Sequence, residues 1–300
     1  MIVVVGSLNL DLVVRVDRLP DAGETLAARG YAEHAGGKGA NQAVAAARAG
    51  GRVAMVGRVG RDEAGARLRD GLAAEGIDVS EVREVDAPTG RALIEVDGAG
   101  RNRIVVVGGA NQAWGPDELP TDLLRRADVV LLQREIPAPV VAEAVRRAGP
   151  RTRVVLNLAP AGEVADEVLS RVDVLVVNES EAAWVTGTTA EKVAADPLAA
   201  ARIAVRRGPR DVVVTLGAAG ALSVGRSGEA RAMGHAVDAV DTTAAGDAFA
   251  GALAARLDEG GSLADALAFG CAAGAEAVLR DGAQPSLPAR EAILARIGAA

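Results

Sequence analysis

The stretch Val129–Ala148, VVLLQREIPAPVVAEAVRRA, carries the pattern on which the fold turns. Val129–Leu132 is a short, continuous apolar run, the signature of a strand covered on both faces. A polar break, Gln133-Arg134-Glu135, follows it, and Val140–Ala148 then reads as a helix. The same alternation recurs along the chain. Ile2–Val5, Arg52–Val56, Val154–Leu156, Val174–Val177 and Val212–Thr215 are further strand-like runs. Ala43–Ala49, Ala64–Ala74, Leu198–Arg206, Ala245–Leu257 and Leu263–Leu279 are helical stretches between or after them. Strands alternating with helices predict an α/β fold, a doubly wound, mostly parallel sheet in a three-layer α/β/α arrangement. Ligands of such sheets bind outside the carboxyl ends of the strands.

Two regions break this rhythm. Asp11–Val16 and Thr25–His34 lie between the first strand and the first helix. Arg91–Val96 and Arg101–Val107 flank Asp97-Gly98-Ala99-Gly100, a hairpin signal. These strands have no helices of their own and predict a small sheet projecting from the main body, suited to a lid, a dimer interface, or both.

Composition narrows the function classes. Of 300 residues, 50% are hydrophobic but only 2% aromatic, so the core must be built from Ala, Val and Leu. A formal charge of −7 argues against a general nucleic-acid binder, which needs basic stripes. It leaves a nucleotide ligand open, because backbone N–H groups can hold phosphate. The single cysteine, Cys271, rules out an intrachain disulfide and a cysteine zinc cluster, and only two histidines are present. The apolar start Met1–Gly6 is short, lacks a basic lead and reads as a buried strand. No run approaches the roughly 18–20 apolar residues of a membrane helix, so no membrane contact and a cytoplasmic location are expected.

Several motifs fall where strands end. In Asp241–Asp247, Ala244-Ala245-Gly246 runs into a helix starting near Asp247. The first N–H groups of a helix lack intrahelical acceptors and, with the dipole, attract anions. Asp247 lies beside that anion site, where a base for an acceptor hydroxyl is needed. In isolation, Gly-Asp reads equally as a helix cap. Gly36-Gly37-Lys38-Gly39-Ala40-Asn41-Gln42 lacks the spacing of a P-loop and is a Gly-Gly turn entering a helix. Its Lys38 and Asn41 suit sugar hydroxyls. Asn9 and Asp11 sit at alternate positions of an extended segment and therefore point the same way. Asn178-Glu179-Ser180-Glu181 follows a strand and reads as an N-cap or as oxygen ligands for Mg²⁺. Thr215-Leu216-Gly217-Ala218-Ala219-Gly220 is a Gly-rich strand end able to lie against a nucleotide, and Glu135 and Asn157 fall at the same edge.

Taken in order, these motifs resemble the ribokinase-like (PfkB) carbohydrate kinase family from end to end, including Asn157–Pro160 and Gly282–Ser286. The resemblance implies one kinase domain over residues 1–300, with a lid from about residues 11–34 and 90–108. It implies ATP-dependent phosphorylation of D-ribose at the 5-hydroxyl. Asn9, Asp11, Gly37, Lys38, Asn41 and Glu135 would bind the sugar, and Asp247 would be the base. Ala244, Ala245 and Gly246 would form the anion hole. Thr215, Gly217 and Gly220 would contact the nucleotide, with Asn178 and Glu181 organising Mg²⁺ and phosphates. A monovalent cation, usually K⁺, would lie against Asp241, Thr243, Ala277, Arg280, Gly282 and Ser286, several acting through carbonyls. The lid would also pair two copies in a homodimer. Ala250 and Cys271 depart from the pattern near the nucleotide. Fructose, 2-keto-3-deoxygluconate or a nucleoside as acceptor, or a sensor without turnover, are the alternatives.

Overall fold

The structure, a computed structural model, describes residues 1–98 and 101–298. Thirteen strands form two sheets among these residues. They are β1 (Ile2–Val5), β2 (Asn9–Arg15), β3 (Gly30–Gly36), β4 (Val53–Gly60), β5 (Asp78–Val85), β6 (Gly90–Val96), β7 (Asn102–Val107), β8 (Val129–Leu132), β9 (Arg153–Asn157), β10 (Val174–Val177), β11 (Asp211–Thr215), β12 (Gly220–Gly225) and β13 (Gly228–Met233). The helices are α1 (Lys38–Arg48), α2 (Glu63–Ala74), α3 (Thr121–Arg126), α4 (Ala138–Arg147), α5 (Asp166–Leu169), α6 (Glu179–Thr186), α7 (Ala190–Ala195), α8 (Pro197–Val205), α9 (Ala245–Asp258), α10 (Leu263–Ala277) and α11 (Arg290–Gly298).

The large sheet runs β13-β12-β11-β10-β9-β8-β1-β4-β5. From β5 to β11 every pairing is parallel, and β12 and β13 close one edge antiparallel. Side-chain alternation divides the core in two. Ile2, Val4, Val129 and Leu131 face a cluster built with α1, α2, α9, α10 and α11. Val3, Val5, Val130 and Leu132 face a second cluster with α3 to α8. The unbroken apolar runs thus reflect burial on both faces, as a doubly wound sheet requires.

The second sheet runs β3-β2-β6-β7, with β2 parallel to β6 and antiparallel to β3. It uses residues 9–36 and 90–107, close to the expected stretches, but Thr25–Arg29 lies outside β3. Ala99 and Gly100 of the expected hairpin turn lie outside the described residues; on either side of them, Asp97 N–H donates to the Arg101 carbonyl. No helix among the described residues is long and apolar enough to cross a membrane.

One contact sets the position of the site. A Cβ on Gly251 would come within 2.6 Å of the Ala45 Cβ and of the Gln42 carbonyl oxygen, so α9 lies directly on α1 because Gly251 has no side chain. Asp247 is one turn earlier on the same face. The helix crossing therefore delivers it to the first turns of α1. We expect Gly251→Val to destabilise the fold by about 1–3 kcal/mol or more through overpacking, read as a fall in the denaturation midpoint.

Candidate active site

The carboxyl ends of β1, β8, β9, β10 and β11 open onto one edge of the large sheet, and the sequence motifs converge there. After β1, the chain crosses to the start of α1. A Cβ on Gly39 would come within 2.5 Å of the Ser7 nitrogen, which shows how close the two backbones lie. The Ser7 hydroxyl donates to Glu135 Oε2 (2.6 Å), and the Lys38 backbone N–H donates to the same oxygen (2.9 Å). Glu135 thus anchors the entry of α1, where a helix N-terminus favours a carboxylate. Gly37 has φ 87°, which glycine adopts freely. A Cβ at Gly36 would collide with the Asp11 carboxylate. The Gly-Gly pair therefore turns the chain and makes room for Asp11.

Asn9 and Asp11 are both buried. Asn9 Oδ1 accepts from Asn111 Nδ2 (2.8 Å). Asn111 also bonds both backbone groups of Leu8, donating to its carbonyl (3.0 Å) and accepting its N–H (2.9 Å). That clamp directs the Asn9 amide so that its NH₂ is left to donate, while Asp11 two residues on can only accept when ionised. Donor and acceptor side by side match the adjacent hydroxyls of a sugar. Burial, followed by the neighbouring charges of Glu135 and Asp247, pushes the Asp11 carboxyl up to about 7, with Lys38 opposing. Lys38 itself is raised above the usual lysine range, chiefly by the Asp247 charge, which outweighs its burial. Glu135, Glu181 and Asp11 add to that field. One ammonium thus sits among four carboxylates drawn from four separate segments.

Asp247 is 6% exposed. Its Oδ2 accepts from Asn41 Nδ2 (3.0 Å) and its Oδ1 from Gln42 Nε2 (2.9 Å). Gln42 Nε2 also reaches Asn157 Oδ1 (2.9 Å), and Gln42 Oε1 accepts from Gln133 Nε2 (2.7 Å). A chain of amides from β8 through α1 thereby fixes the carboxylate's orientation. Gln42→Leu should lower kcat roughly tenfold, the worth of about 1.4 kcal/mol, while sugar affinity in equilibrium binding stays within about threefold.

The helix carrying Asp247 begins at Ala245, where the expected helical stretch Ala245–Leu257 also starts, with Ala244 as its N-cap. Ala244 has φ 60°, the sole positive-φ non-glycine residue among those described. Such a conformation costs energy without Gly and is often met at functional turns. A Cβ on Gly246 would meet nothing within 4 Å, so the protein's own packing does not demand glycine there. The Ala245 N–H donates to the Thr242 carbonyl (3.3 Å), and the N–H groups of Gly246 and Asp247, without intrahelical acceptors, form the kind of cradle that holds phosphoryl oxygens.

The remaining candidates divide. Asn178 and Glu181 form a reciprocal capping box on α6: Asn178 Oδ1 accepts the Glu181 N–H (2.8 Å) and Glu181 Oε2 accepts the Asn178 N–H (2.9 Å). Burial nevertheless raises the Glu181 carboxyl, against that N–H and Lys38. No cluster of three or more His, Cys, Asp or Glu able to hold a metal occurs among the described residues. Thr215 ends β11, its hydroxyl donating to the Val177 carbonyl (3.4 Å). Gly217 has φ 54° and open space around it, whereas a Cβ on Gly220 would strike the β13 backbone. Asp241 ties two loops together, accepting from Thr243 N–H (2.9 Å), Thr243 Oγ1 (2.6 Å) and Gly282 N–H (2.9 Å). Burial alone would raise this carboxyl, but those donors hold it below the usual range. The Val278 carbonyl, one residue past Ala277, accepts from Val240 (2.7 Å) and Asp241 (3.3 Å). Ser286 is buried and bonds the Ala283 carbonyl (2.9 Å). The side chains of Asp241, Thr243 and Ser286 are thus paired within this double loop. Burial pushes the Cys271 thiol up to about 12, as an inert core residue shows.

A doubly wound sheet whose strand ends gather a helix-start carboxylate, an anion cradle and paired sugar-type donors and acceptors defines a kinase of small hydroxylated molecules. The chain belongs to the pfkB family of carbohydrate kinases, whose sequence pattern matches residues 1–290. It is 40% identical over 299 residues to the bifunctional ribokinase/ribose-5-phosphate isomerase A of Fructilactobacillus sanfranciscensis, covering 98% of this chain and 55% of that one. The chain therefore spans about half the length of that relative. It is 39% identical to the ribokinase of Haemophilus influenzae, covering 97% of this chain and 96% of the other. Among solved structures it is similar to Arabidopsis thaliana ribokinase complexed with ribose and ATP, with a TM-score of 0.90, 34% identity and coverage of 99% and 98%.

Proposed function

We propose that this chain transfers the γ-phosphoryl group of ATP to the 5-hydroxyl of D-ribose. The 5-oxygen forms a bond to phosphorus, the bond from that phosphorus to the bridging oxygen of ADP breaks, and the hydroxyl proton passes to Asp247. The observation that carries the reading is a buried Asp247 carboxylate held by Asn41 and Gln42 at the start of α9, beside the N–H groups of its first turn. The donor NH₂ of Asn9 and the acceptor Asp11 suit the sugar's hydroxyls, and Gly37, Lys38, Asn41 and Glu135 complete that side. Ala244, Ala245 and Gly246 receive the phosphoryl oxygens, which spread the charge of the transferring group. Thr215, Gly217 and Gly220 lie along the nucleotide.

When bound, Mg²⁺ supplies charge neutralisation on the phosphates, and Asn178 and Glu181 would orient it through water. K⁺ would be held by the loops tied by Asp241 and by carbonyls near Ala277, Arg280, Gly282 and Ser286, with Thr243 fixing Asp241. Activity is expected to be higher in K⁺ than in Na⁺; equal rates in the two salts would remove the selective cation site. The four-stranded sheet acts as a lid and joins two copies. Ile104, Val105, Val106 and Val107 leave an apolar row exposed on its edge strand β7, which solitary proteins usually blunt. Sedimentation as a monomer at micromolar concentration would count against that pairing. With ATP as donor, the reading places the chain in the cytoplasm.

The deciding experiment is a panel of ribose, 2-deoxyribose, fructose, 2-keto-3-deoxygluconate and adenosine, followed by coupled ADP release. Ribose is expected to give the highest kcat/KM. A higher value for another acceptor would replace the substrate, and binding of ribose without ADP would favour a sensor.

A further inference from the structure

A cleft of about 400 Å³ opens on the opposite edge of the large sheet, at the amino ends of β9, β10 and β11. It is bounded on the other side by the link from α9 to α10, with Leu257 and Leu263 among its apolar walls. Its polar groups are unevenly satisfied. Every carboxylate lining it has a partner. Asp173 accepts the Val154 N–H (2.8 Å), and Asp211 accepts both the N–H and the hydroxyl of Ser227 (2.8 Å each). Glu229 pairs with Arg202 (2.7 Å). The donors are another matter. The Arg210 guanidinium has no partner among the described residues, and Arg153 makes only one bond, to the Leu257 carbonyl (3.2 Å).

Two further donors lie deeper. Ser223 is 1% exposed, lines the cleft and has no hydrogen-bond partner for its hydroxyl among the described residues. Leu263 and Ala264 bring the first turn of the 15-residue helix α10 to the cleft wall. The Ser262 cap satisfies the Asp265 N–H (3.1 Å), one residue further on, so the N–H groups of Leu263 and Ala264 stay without an intrahelical acceptor. The groups left unpaired in the cleft are therefore donors, two of them guanidinium groups standing among the charges of Asp173, Asp211 and Glu229, with a helix N-terminus beside them. The cleft's volume exceeds what a bare oxyanion fills and suits a small metabolite.

We propose that this cleft is a second binding site, for the phosphate monoester of a small polar metabolite. Arg210 and Arg153 pair with the phosphate oxygens, the α10 N-terminus and the Ser223 hydroxyl donate to them, and the polar walls take the ester's body. The site is built from residues that the proposed sugar kinase reaction does not use, and it stands or falls separately from that reaction. Its connection to the catalytic edge is structural: α9 starts beside Asp247 and ends with Leu257 in the cleft wall.

The test is a titration of the full chain with ribose 5-phosphate, and separately with inorganic phosphate, at constant ionic strength. The side-chain N–H signals of Arg153 and Arg210 are followed by NMR and assigned with the variants Arg153→Ala and Arg210→Ala. Both signals should shift saturably with ribose 5-phosphate, at lower concentration than with inorganic phosphate. Arg210→Ala should weaken that binding, read on Arg153, about tenfold or more, as loss of a charge-assisted bond implies. Arg210 is exposed, so this variant should fold; Ser223→Ala is a second variant expected to weaken binding in the same direction. Shifts that never saturate, or that sodium chloride reproduces, would overturn the site. Binding of inorganic phosphate as tight as that of the ester would overturn its assignment to an ester.

Discussion

Asp247→Asn should lower turnover of ribose and ATP at least roughly 100-fold while leaving sugar affinity nearly unchanged, in line with the 10²–10⁴ that a positioned general base contributes. The substitution keeps the side chain's size and removes its ability to take a proton. It also replaces an acceptor by a donor on one side, facing the NH₂ groups of Asn41 and Gln42 that now bond the carboxylate. Those two amides must turn or lose a bond, so a modest loss of thermal stability should accompany the loss of rate. The informative comparison is between kcat and the sugar dissociation constant measured without nucleotide. A fall confined to kcat marks a group that acts in the transition state. A rate within threefold of the parent would remove Asp247 from the chemistry.

Asp11→Ala should instead act mainly on the sugar, raising its KM roughly 10–100-fold, because each hydrogen bond to a charged group contributes about 1.5–3 kcal/mol. Its effect should also depend on pH. Burial, with Glu135 and Asp247 nearby, lifts the Asp11 carboxyl from 3.8 to about 7 in the folded chain. Ionised Asp11 accepts from two hydroxyls, and the protonated form does so poorly. KM for ribose should therefore fall as pH rises from 6 to 8 and then level, and Asp11→Ala should flatten that slope. Stability without sugar runs the other way. The folded chain holds a proton that the unfolded chain releases near 3.8, so this residue's contribution is full at low pH and is lost as pH rises through about 7. Ribose should consequently raise the melting temperature more at pH 8 than at pH 6. An equal gain at both would contradict the role given to Asp11.

The parts of the fold that could be read from sequence are those where one physical rule dominates. Ile2–Val5, Val129–Leu132 and Val174–Val177 match their strands residue for residue. Each is buried on both faces, and they stop at Gly6, Gln133 and Asn178, where the continuous apolar run ends. β5, DVSEVREV, escaped notice because a half-exposed edge strand carries charge within its apolar pattern. β12 and β13 form the antiparallel edge and likewise lack a continuous run. Of the site residues that could be read, Lys38 stands between glycines that the backbone path demands, whereas Asp247 follows Gly246, which the surrounding packing does not require.

Asn111, Gln42 and Gln133 were not identified as working parts. Their contacts join segments about 90–200 residues apart, and an amide in a helix or after a strand has no periodicity to betray it. For Asn111 a weak signal was present: it follows Gly108-Gly109-Ala110, and Gly109, at φ 51°, packs against the Pro88 carbonyl. The Asn178/Glu181 pair shows the opposite case, a local cap fully legible in sequence that says little about Mg²⁺.

The most direct measurement is ³¹P NMR of a mixture of the chain, ribose, ATP, Mg²⁺ and K⁺ over time. The γ-phosphate signal should be replaced by one phosphate monoester attached at C5 of ribose, in step with ADP, and Asp247→Asn should abolish its growth on the same timescale. Release of inorganic phosphate in place of a sugar ester, attachment at any other carbon, or an unchanged rate in the variant would contradict the assignment.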